Sequence, residues 1–102
     1  MDYKITEGTE TRITLNGKLD FASAPKLMED LAALKGKDIQ TIVFECADLT
    51  YISSAGIRVI IYAQQKIAAG ISVVLEDVTD AVGEVFDMCG LTDFVEIRES
   101  SQ

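Results

Sequence analysis

The first twenty residues alternate apolar and polar side chains with a period of two, a pattern typical of strands with one solvated face. Tyr3 and Ile5 are the apolar positions of a first run, and Ile13 and Leu15 are those of a second run. The stretch Gly8-Thr9 between the runs favours a turn. The pattern therefore predicts an antiparallel pair of strands.

Helical spacing replaces this alternation in the segment LDFASAPKLMEDLAALKG. Ser23 is placed to cap the helix, and Pro25 stands in the first turn, where its missing N–H has no helical partner in any case. The apolar stripe consists of Leu27, Met28, Leu31 and Leu34. We expect an amphipathic helix that ends near Gly36.

Two apolar runs of strand length follow, Thr41–Cys46 (TIVFEC) and Ile71–Glu76 (ISVVLE). Nearly continuous apolar runs are typical of strands that are covered on both faces. The first run is therefore expected to form a central strand, parallel to a neighbour, and the second run a further buried strand.

A helix with one apolar stripe is predicted after the second buried strand. It begins near Thr79 or Asp80 and stops at Gly90. Its inner positions are Val82, Val85, Phe86 and Cys89. The run Phe94–Ile97 then predicts a short closing strand.

Between the two buried strands, the stretch YISSAGIRVII (Tyr51–Ile61) predicts a helix that starts at Ser53 or Ser54. The positions expected to face the sheet are Ile57, Ile60, Ile61 and Ile67, and those expected on the outer face are Arg58, Tyr62 and Gln65. Val59 and Ala63 widen the apolar stripe beyond what one face requires. Either the helix is deeply packed, or part of its first two turns is kept for a partner.

The elements follow the order β-β-α-β-α-β-α-β. Because parallel strands need crossover connections, this order predicts an α/β fold in which helices pack against a single mixed sheet. The chain has 102 residues, one proline and no tract that resembles a linker, so one domain over residues 1–102 is expected.

Charge and composition exclude several classes of function. The formal net charge is -8, and the nine Lys and Arg residues are scattered, which disfavours nucleic acid and anionic membranes as partners. The start MDYKITEG lacks the features of a signal peptide, and no apolar run approaches the roughly 20 residues that span a bilayer. We expect a cytoplasmic protein with no direct membrane insertion.

Histidine is absent, which removes the commonest general base and the commonest metal ligand. Cys46 and Cys89 stand in apolar segments, so both are expected to be reduced and buried, and two isolated cysteines cannot build a zinc site. Most hydrolase and metalloenzyme chemistry is therefore disfavoured, and no metal or cofactor is expected.

The two adjacent serines, Ser53 and Ser54, have more than one interpretation. Serine is a preferred N-cap, but one helix needs only one cap, which leaves a second hydroxyl free to point into solvent. A phosphate on Ser54 would be tolerated because a helix N-terminus favours anions, and it would add about -1.5 to -2 charges. With Asp20 and Asp48 expected nearby, that charge would repel a partner arranged for a neutral hydroxyl.

Three further residues of this helix also have two interpretations each. Glycine costs about 1 kcal/mol relative to alanine in a helix, so Gly56 indicates a close approach, either of the neighbouring strand or of a partner. Arg58 and Tyr62 belong to residue types that are enriched at interface hot spots, although a solvated helix face requires no such role.

The segments GKLDFASAP, IVFECADLTYISSAGIRVI and VFDMCGLTDFVEI resemble, in this order, the STAS-domain anti-sigma factor antagonists of bacteria over nearly the whole chain. The resemblance implies the STAS fold, here with the final helix of many members short or absent. It also implies partner switching, in which the unphosphorylated domain binds an anti-sigma factor, a serine kinase of the GHKL type, and so frees a sigma factor. Phosphorylation breaks that complex, and a phosphatase of the protein phosphatase 2C type restores it.

Carried onto this sequence, the resemblance identifies Ser54 as the phosphoacceptor and Gly56 as the glycine of its turn. Asp20 matches the Asp that closes the second strand, and Asp48 matches the Asp of the loop before the turn. Ser53 stands where the family usually has Asp. With the outer face of the helix included, the candidate partner-binding residues are Asp20, Asp48, Ser53, Ser54, Gly56, Arg58 and Tyr62. The resemblance implies that the domain itself catalyses nothing.

Two alternatives stay open. The serine at position 53 motivates a STAS adaptor that docks on an ATPase subunit of a membrane transport complex without being phosphorylated. The other alternative is a small enzyme that uses Asp20, Glu45 and Asp48, since paired carboxylates can do acid/base work when their pKa values are pushed apart. The sequence offers it neither a histidine nor a glycine motif that would cradle phosphate.

Overall fold

The structure is a computed structural model that describes residues 2–99. Its strands are β1 (Asp2–Thr6), β2 (Glu10–Leu19), β3 (Thr41–Ile52), β4 (Ser72–Glu76) and β5 (Glu96–Arg98), and its helices are α1 (Ala24–Ala32), α2 (Ser54–Lys66) and α3 (Asp80–Met88). A short 3-10 turn, Leu91–Asp93, precedes β5. The predicted order of elements is confirmed. The predicted shortening or loss of a final helix concerns residues 100–102, which lie outside the described residues.

The five strands of the described chain form one sheet in the order β1-β2-β3-β4-β5. β1 is antiparallel to β2, whereas the other neighbouring strands are parallel. Each parallel connection contains one of the three helices, as crossover connections require. The predicted mixed α/β sheet, with the strand TIVFEC at its centre, is therefore confirmed. No helix within residues 2–99 is both long enough and apolar enough to span a bilayer.

The helices cover one face of this sheet. The cross-strand row Ile13, Phe44 and Leu75 lies on that face and is fully buried. The helix side chains packed in the same core include Leu27 and Leu31 of α1, Ile57 and Ile60 of α2, and Val82 and Phe86 of α3. Val59 and Ala63 are also fully buried, so deep packing accounts for the wide apolar stripe of α2.

The opposite face of the sheet carries a network of ion pairs. The Arg12 guanidinium contacts the carboxylates of Glu45 at 2.8 Å and Glu76 at 3.0 Å, and Arg98 contacts Glu76 at 3.0 Å. The nearly buried Glu76 is thus paired from both sides, as a buried carboxylate requires. The hydrogen bond from Arg12 lowers the pKa of Glu45, which holds that group in its charged form rather than as a general acid.

Strand β3 is longer than its apolar run predicted, since it continues past Cys46 to Ile52. Asp48, which was predicted to lie in a loop, therefore lies within a strand. The reason is long-range pairing: β2 is long enough to pair with β3 as far as the Leu19 and Ile52 partners. Because there are polar residues between Cys46 and Ile52, local hydrophobicity does not predict that this segment belongs to the strand.

Two expectations at the end of the chain were wrong. Cys46 is buried as predicted, and its burial raises the pKa of the thiol to about 12, but Cys89 is exposed. Gly90 turns the chain in the left-handed conformation (φ 70°) directly after Cys89, before another helical turn can pack against the sheet. The closing strand spans Glu96–Arg98 rather than Phe94–Ile97.

Candidate partner-binding site

The candidate site is built where the start of α2 meets the end of β2. The Ser53 N–H donates to the Leu19 carbonyl oxygen at 2.9 Å. A Cβ placed on Gly56 would lie 2.8 Å from that same oxygen and 2.6 Å from Cγ1 of Ile52. Any side chain at position 56 would therefore collide with the chain's own sheet. Of the two interpretations of Gly56, close approach of the neighbouring strand is confirmed.

Ser53 caps α2. Its backbone is extended (φ -98°, ψ 178°), and its Oγ accepts a hydrogen bond from the Gly56 N–H at 3.4 Å. Its carbonyl oxygen accepts from the Ile57 N–H at 3.0 Å, and the residue is 7% exposed. The capping role of Ser53 is thus confirmed, and its hydroxyl is used by the backbone of the helix rather than facing solvent.

Ser54 is the first residue of α2 and is exposed. Helical spacing places it on an outer stripe with Arg58, Ile61 and Gln65, which are exposed as well. The prediction that Ile61 faces the sheet was wrong, because Ile61 is rotated by about 100° from the buried Ile60. The outer stripe thus presents one hydroxyl, one cation, one apolar side chain and one amide.

Tyr62 lies on the flank of α2 rather than on this outer stripe. Its ring packs partly against the core, and the Lys35 Nζ lies 5.2 Å from the ring centroid, within the range of a cation–π contact. Tyr62 is therefore partly covered, although it was predicted to stand on the outer face.

A groove of about 400 Å³, whose lining includes Ala55 directly after Ser54, was missed by the sequence analysis. It is lined by Phe21, Ala24, Pro25, Met28, Ala55 and Arg58. Phe21 is 69% exposed, which is unusual for so large an apolar side chain. The available signal was its position, because Phe21 is a large apolar residue in the short turn between Leu19, the end of β2, and Ala24, the start of α1.

Asp20 shapes the turn that presents Phe21. Its Oδ1 accepts hydrogen bonds from the N–H groups of Ala22 at 3.0 Å and Ser23 at 3.2 Å, and these bonds lower the pKa of the Asp20 carboxyl. Ser23 occupies the N-cap position of α1 as predicted, but it makes no side-chain capping bond, because its Oγ donates to the Lys18 carbonyl oxygen at 2.9 Å. Asp20 therefore has a structural role in the turn between β2 and α1.

Asp48 lies apart from the serines, in a depression that it lines with Glu45 on the helix-free side of the sheet. Asp20 lines a different groove, together with Lys26. The acidic neighbourhood expected around Ser54 therefore does not include Asp48. Of the three carboxylates in the enzyme hypothesis, Glu45 and Asp48 line one depression, whereas Asp20 lines another groove. Within residues 2–99, no group of three or more His, Cys, Asp or Glu side chains could hold a metal ion.

The different surroundings of the two serines predict different effects on stability. Ser53→Ala should lower the free energy of unfolding by about 1 kcal/mol, because the Gly56 N–H loses its side-chain partner. Ser54→Ala, the matched control, should change it by less than about 0.5 kcal/mol because the hydroxyl is exposed. Urea denaturation of both variants measures the difference. An equal loss in the two variants would contradict the assignment of the cap to Ser53.

The fold and the candidate site together define a small α/β domain whose surface feature is an exposed serine at the start of a helix. The STAS domain family model matches residues 1–102, and the chain belongs to the STAS domain family. The anti-sigma-B factor antagonist of Bacillus subtilis (strain 168) is 29% identical over 105 residues, covering 100% of this chain and 93% of the relative. BtrV of Bordetella bronchiseptica, described as a candidate anti-sigma factor antagonist, is 33% identical over 89 residues, covering 86% of this chain and 77% of BtrV.

Solved structures support the same fold. The unphosphorylated form of the anti-sigma factor antagonist SpoIIAA matches with a TM-score of 0.77 at 15% identity, over 99% of this chain and 90% of that chain. The phosphorylated form of SpoIIAA, a Bacillus cell fate determinant, matches with a TM-score of 0.78 at 16% identity, over 99% and 93%. At these identities the likeness shows the shared fold, and the STAS fold predicted from the sequence is confirmed.

Proposed function

We propose that this protein is an anti-sigma factor antagonist whose binding is controlled by phosphorylation of Ser54. In its unphosphorylated form it binds an anti-sigma factor, a serine kinase of the GHKL type, and so regulates transcription that depends on a sigma factor. The proposal rests on the STAS family membership and on relatives that are themselves anti-sigma factor antagonists. SpoIIAA, which shares the fold, exists in both an unphosphorylated and a phosphorylated form.

The observation that carries the proposal is the division of the two serine hydroxyls. The Ser53 hydroxyl holds the start of α2, while the Ser54 hydroxyl is exposed beside it on a rigid helix. A kinase can therefore reach the Ser54 Oγ without unfolding the domain. That oxygen attacks the γ-phosphorus of ATP, the bond to the β-phosphate breaks and ADP leaves, while the hydroxyl proton passes to a base of the kinase.

Dephosphorylation restores the binding form. We assign it to a phosphatase of the protein phosphatase 2C type, in which water attacks the phosphorus, inorganic phosphate leaves and the Ser54 Oγ regains a proton. Both steps use catalytic groups of the partner enzymes. The domain contributes a presented hydroxyl and a binding surface, and it needs no cofactor of its own for this role.

The docking surface consists of the outer stripe of α2 and the adjoining groove. Phe21 supplies a large exposed apolar side chain at the edge of this groove, and Ile61 supplies another on the stripe. Exposed apolar side chains next to polar ones are typical of the centre of a protein interface. The formal charge of -8 and the scattered basic residues favour a protein partner in the cytoplasm over nucleic acid.

Incubation with a purified anti-sigma factor kinase and ATP tests the proposal. We expect mass spectrometry of the wild-type protein to find a single phosphate on Ser54, and none on the Ser54→Ala variant. Phe21→Ala should raise the KM of the kinase for this protein about tenfold, because it removes an apolar contact of the docking surface.

Met88→Ala is the matched control for Phe21→Ala, because Met88 is 87% exposed but lies at the end of α3. Its KM should equal that of the wild type. Phosphate found only on other residues would overturn the choice of Ser54. An equal KM for the Phe21 variant and the wild type would overturn the groove as part of the docking surface.

A further inference from the structure

We propose that Arg58 binds the phosphate of phosphorylated Ser54 within the same chain. The inference rests on the proposed phosphorylation of Ser54 and adds a residue that receives the modification. In the phosphorylated form, the phosphate and the Arg58 guanidinium on the outer stripe of α2 are then paired with each other.

The spacing of the two residues supplies the geometry. Ser54 and Arg58 are four positions apart in a continuous helix, and both are exposed. Side chains at such positions have Cβ atoms about 5–6 Å apart, well within reach of a guanidinium. An anion placed N-terminal to a cation is also the favourable orientation for an i,i+4 pair. A phosphate offers several acceptor oxygens, and arginine can contact two of them at once.

Arg58 is available for this role. Within residues 2–99 its guanidinium forms no ion pair, whereas Arg12 and Arg98 are both held by carboxylates on the helix-free face of the sheet. Among the described residues that line the groove beside Ser54, Arg58 alone is charged, and Phe21 and Met28 are apolar. The lining of the groove therefore offers the exposed guanidinium no competing anion.

The pairing has a consequence for the switch. In the unphosphorylated protein, Arg58 is a free cation on the docking surface and can pair with a carboxylate of the partner. After phosphorylation the same guanidinium is occupied by the phosphate of its own chain. The partner then loses an attractive cation as well as meeting a new anion, so one modification changes two contacts of the surface.

The test measures the second pKa of the phosphate, by phosphorus NMR, in protein that carries phosphoserine at position 54 installed during translation. A neighbouring cation favours the doubly charged phosphate, so this pKa should be about 0.5 lower in the wild type than in Arg58→Gln. Arg58→Lys should restore most of the shift because it keeps the charge. Raising the salt concentration should reduce the difference.

Lys66→Gln is the control, since it removes the same charge from the last turn of α2, about 18 Å from Ser54 along the helix. It should titrate like the wild type. Equal pKa values in the wild type and Arg58→Gln, or an equal shift in Lys66→Gln, would overturn the pairing. Because the phosphoserine is installed without a kinase or an anti-sigma factor, this outcome is separate from failure of the proposed function.

Discussion

Replacing Gly56 with alanine is expected to destabilise the domain by about 2–3 kcal/mol, although alanine is the better helix former. The new Cβ would lie 2.8 Å from the Leu19 carbonyl oxygen and 2.6 Å from the Ile52 side chain. The same Leu19 oxygen accepts the hydrogen bond from the Ser53 N–H, so it cannot move without disturbing the start of α2. A small local movement therefore cannot relieve the clash. Urea denaturation, followed by circular dichroism, measures the loss.

Gly83→Ala is the matched control in a second helix. A Cβ at Gly83 would meet Cγ1 of Val78 at 3.5 Å, which is an ordinary contact. The variant should be more stable than the wild type by about 0.5–1 kcal/mol, because alanine restricts the unfolded chain and favours the helix. Equal behaviour of Gly56→Ala and Gly83→Ala would contradict the close packing of α2 against the end of β2.

Local patterns predicted most of the fold. The period-two runs, the amphipathic helices and the turn glycines fixed the order of elements, because each signal depends on neighbouring residues. The Ser53 cap was predictable for the same reason, since a cap joins residues three positions apart. The end of β3 was not, because its pairing with β2 joins residues more than thirty positions apart, as in the partners Gly17 and Leu49.

The candidate site divides in the same way. Ser54 and Arg58 lie on one helix, so the sequence alone placed both on its outer face, and their exposure agrees. The groove depends on the packing of α1 and the preceding turn beside α2, which no local period encodes. The position of Asp48 in the chain predicted that it lies near the serines. It lies instead in strand β3, where it lines another depression. Cys89 was misassigned because α3 ends at Met88 and the left-handed Gly90 turns the chain directly after Cys89.

Phosphorylation of Ser54 is expected to weaken the complex with the anti-sigma factor by about 100-fold or more, equivalent to about 2.7 kcal/mol. The phosphate adds roughly -1.5 to -2 charges to an interface that would otherwise contain a neutral hydroxyl. This weakens the complex because a buried charge without a partner is strongly unfavourable. Pairing with Arg58 would compensate part of that charge, but it would occupy the cation that we propose contacts the partner.

The same modification is expected to leave the fold intact. Ser54 is the first residue of α2, where the helix dipole favours a negative charge, and the Ser53 cap does not involve the modified oxygen. The melting temperature of the phosphorylated protein should therefore be no lower than that of the unphosphorylated protein. The loss of affinity would then come from the surface itself rather than from unfolding of the helix.

The most direct test is an isothermal titration of one purified anti-sigma factor with two forms of this protein, unmodified and carrying phosphoserine installed at position 54. Ser54→Ala serves as the control that lacks both the hydroxyl and the phosphate. We predict tight binding of the unmodified protein, binding of Ser54→Ala within about tenfold of it, and a loss of about 100-fold or more for the phosphorylated form. Equal affinities of the phosphorylated and unmodified forms would contradict the switch, and would favour instead an adaptor that binds its partner independently of Ser54.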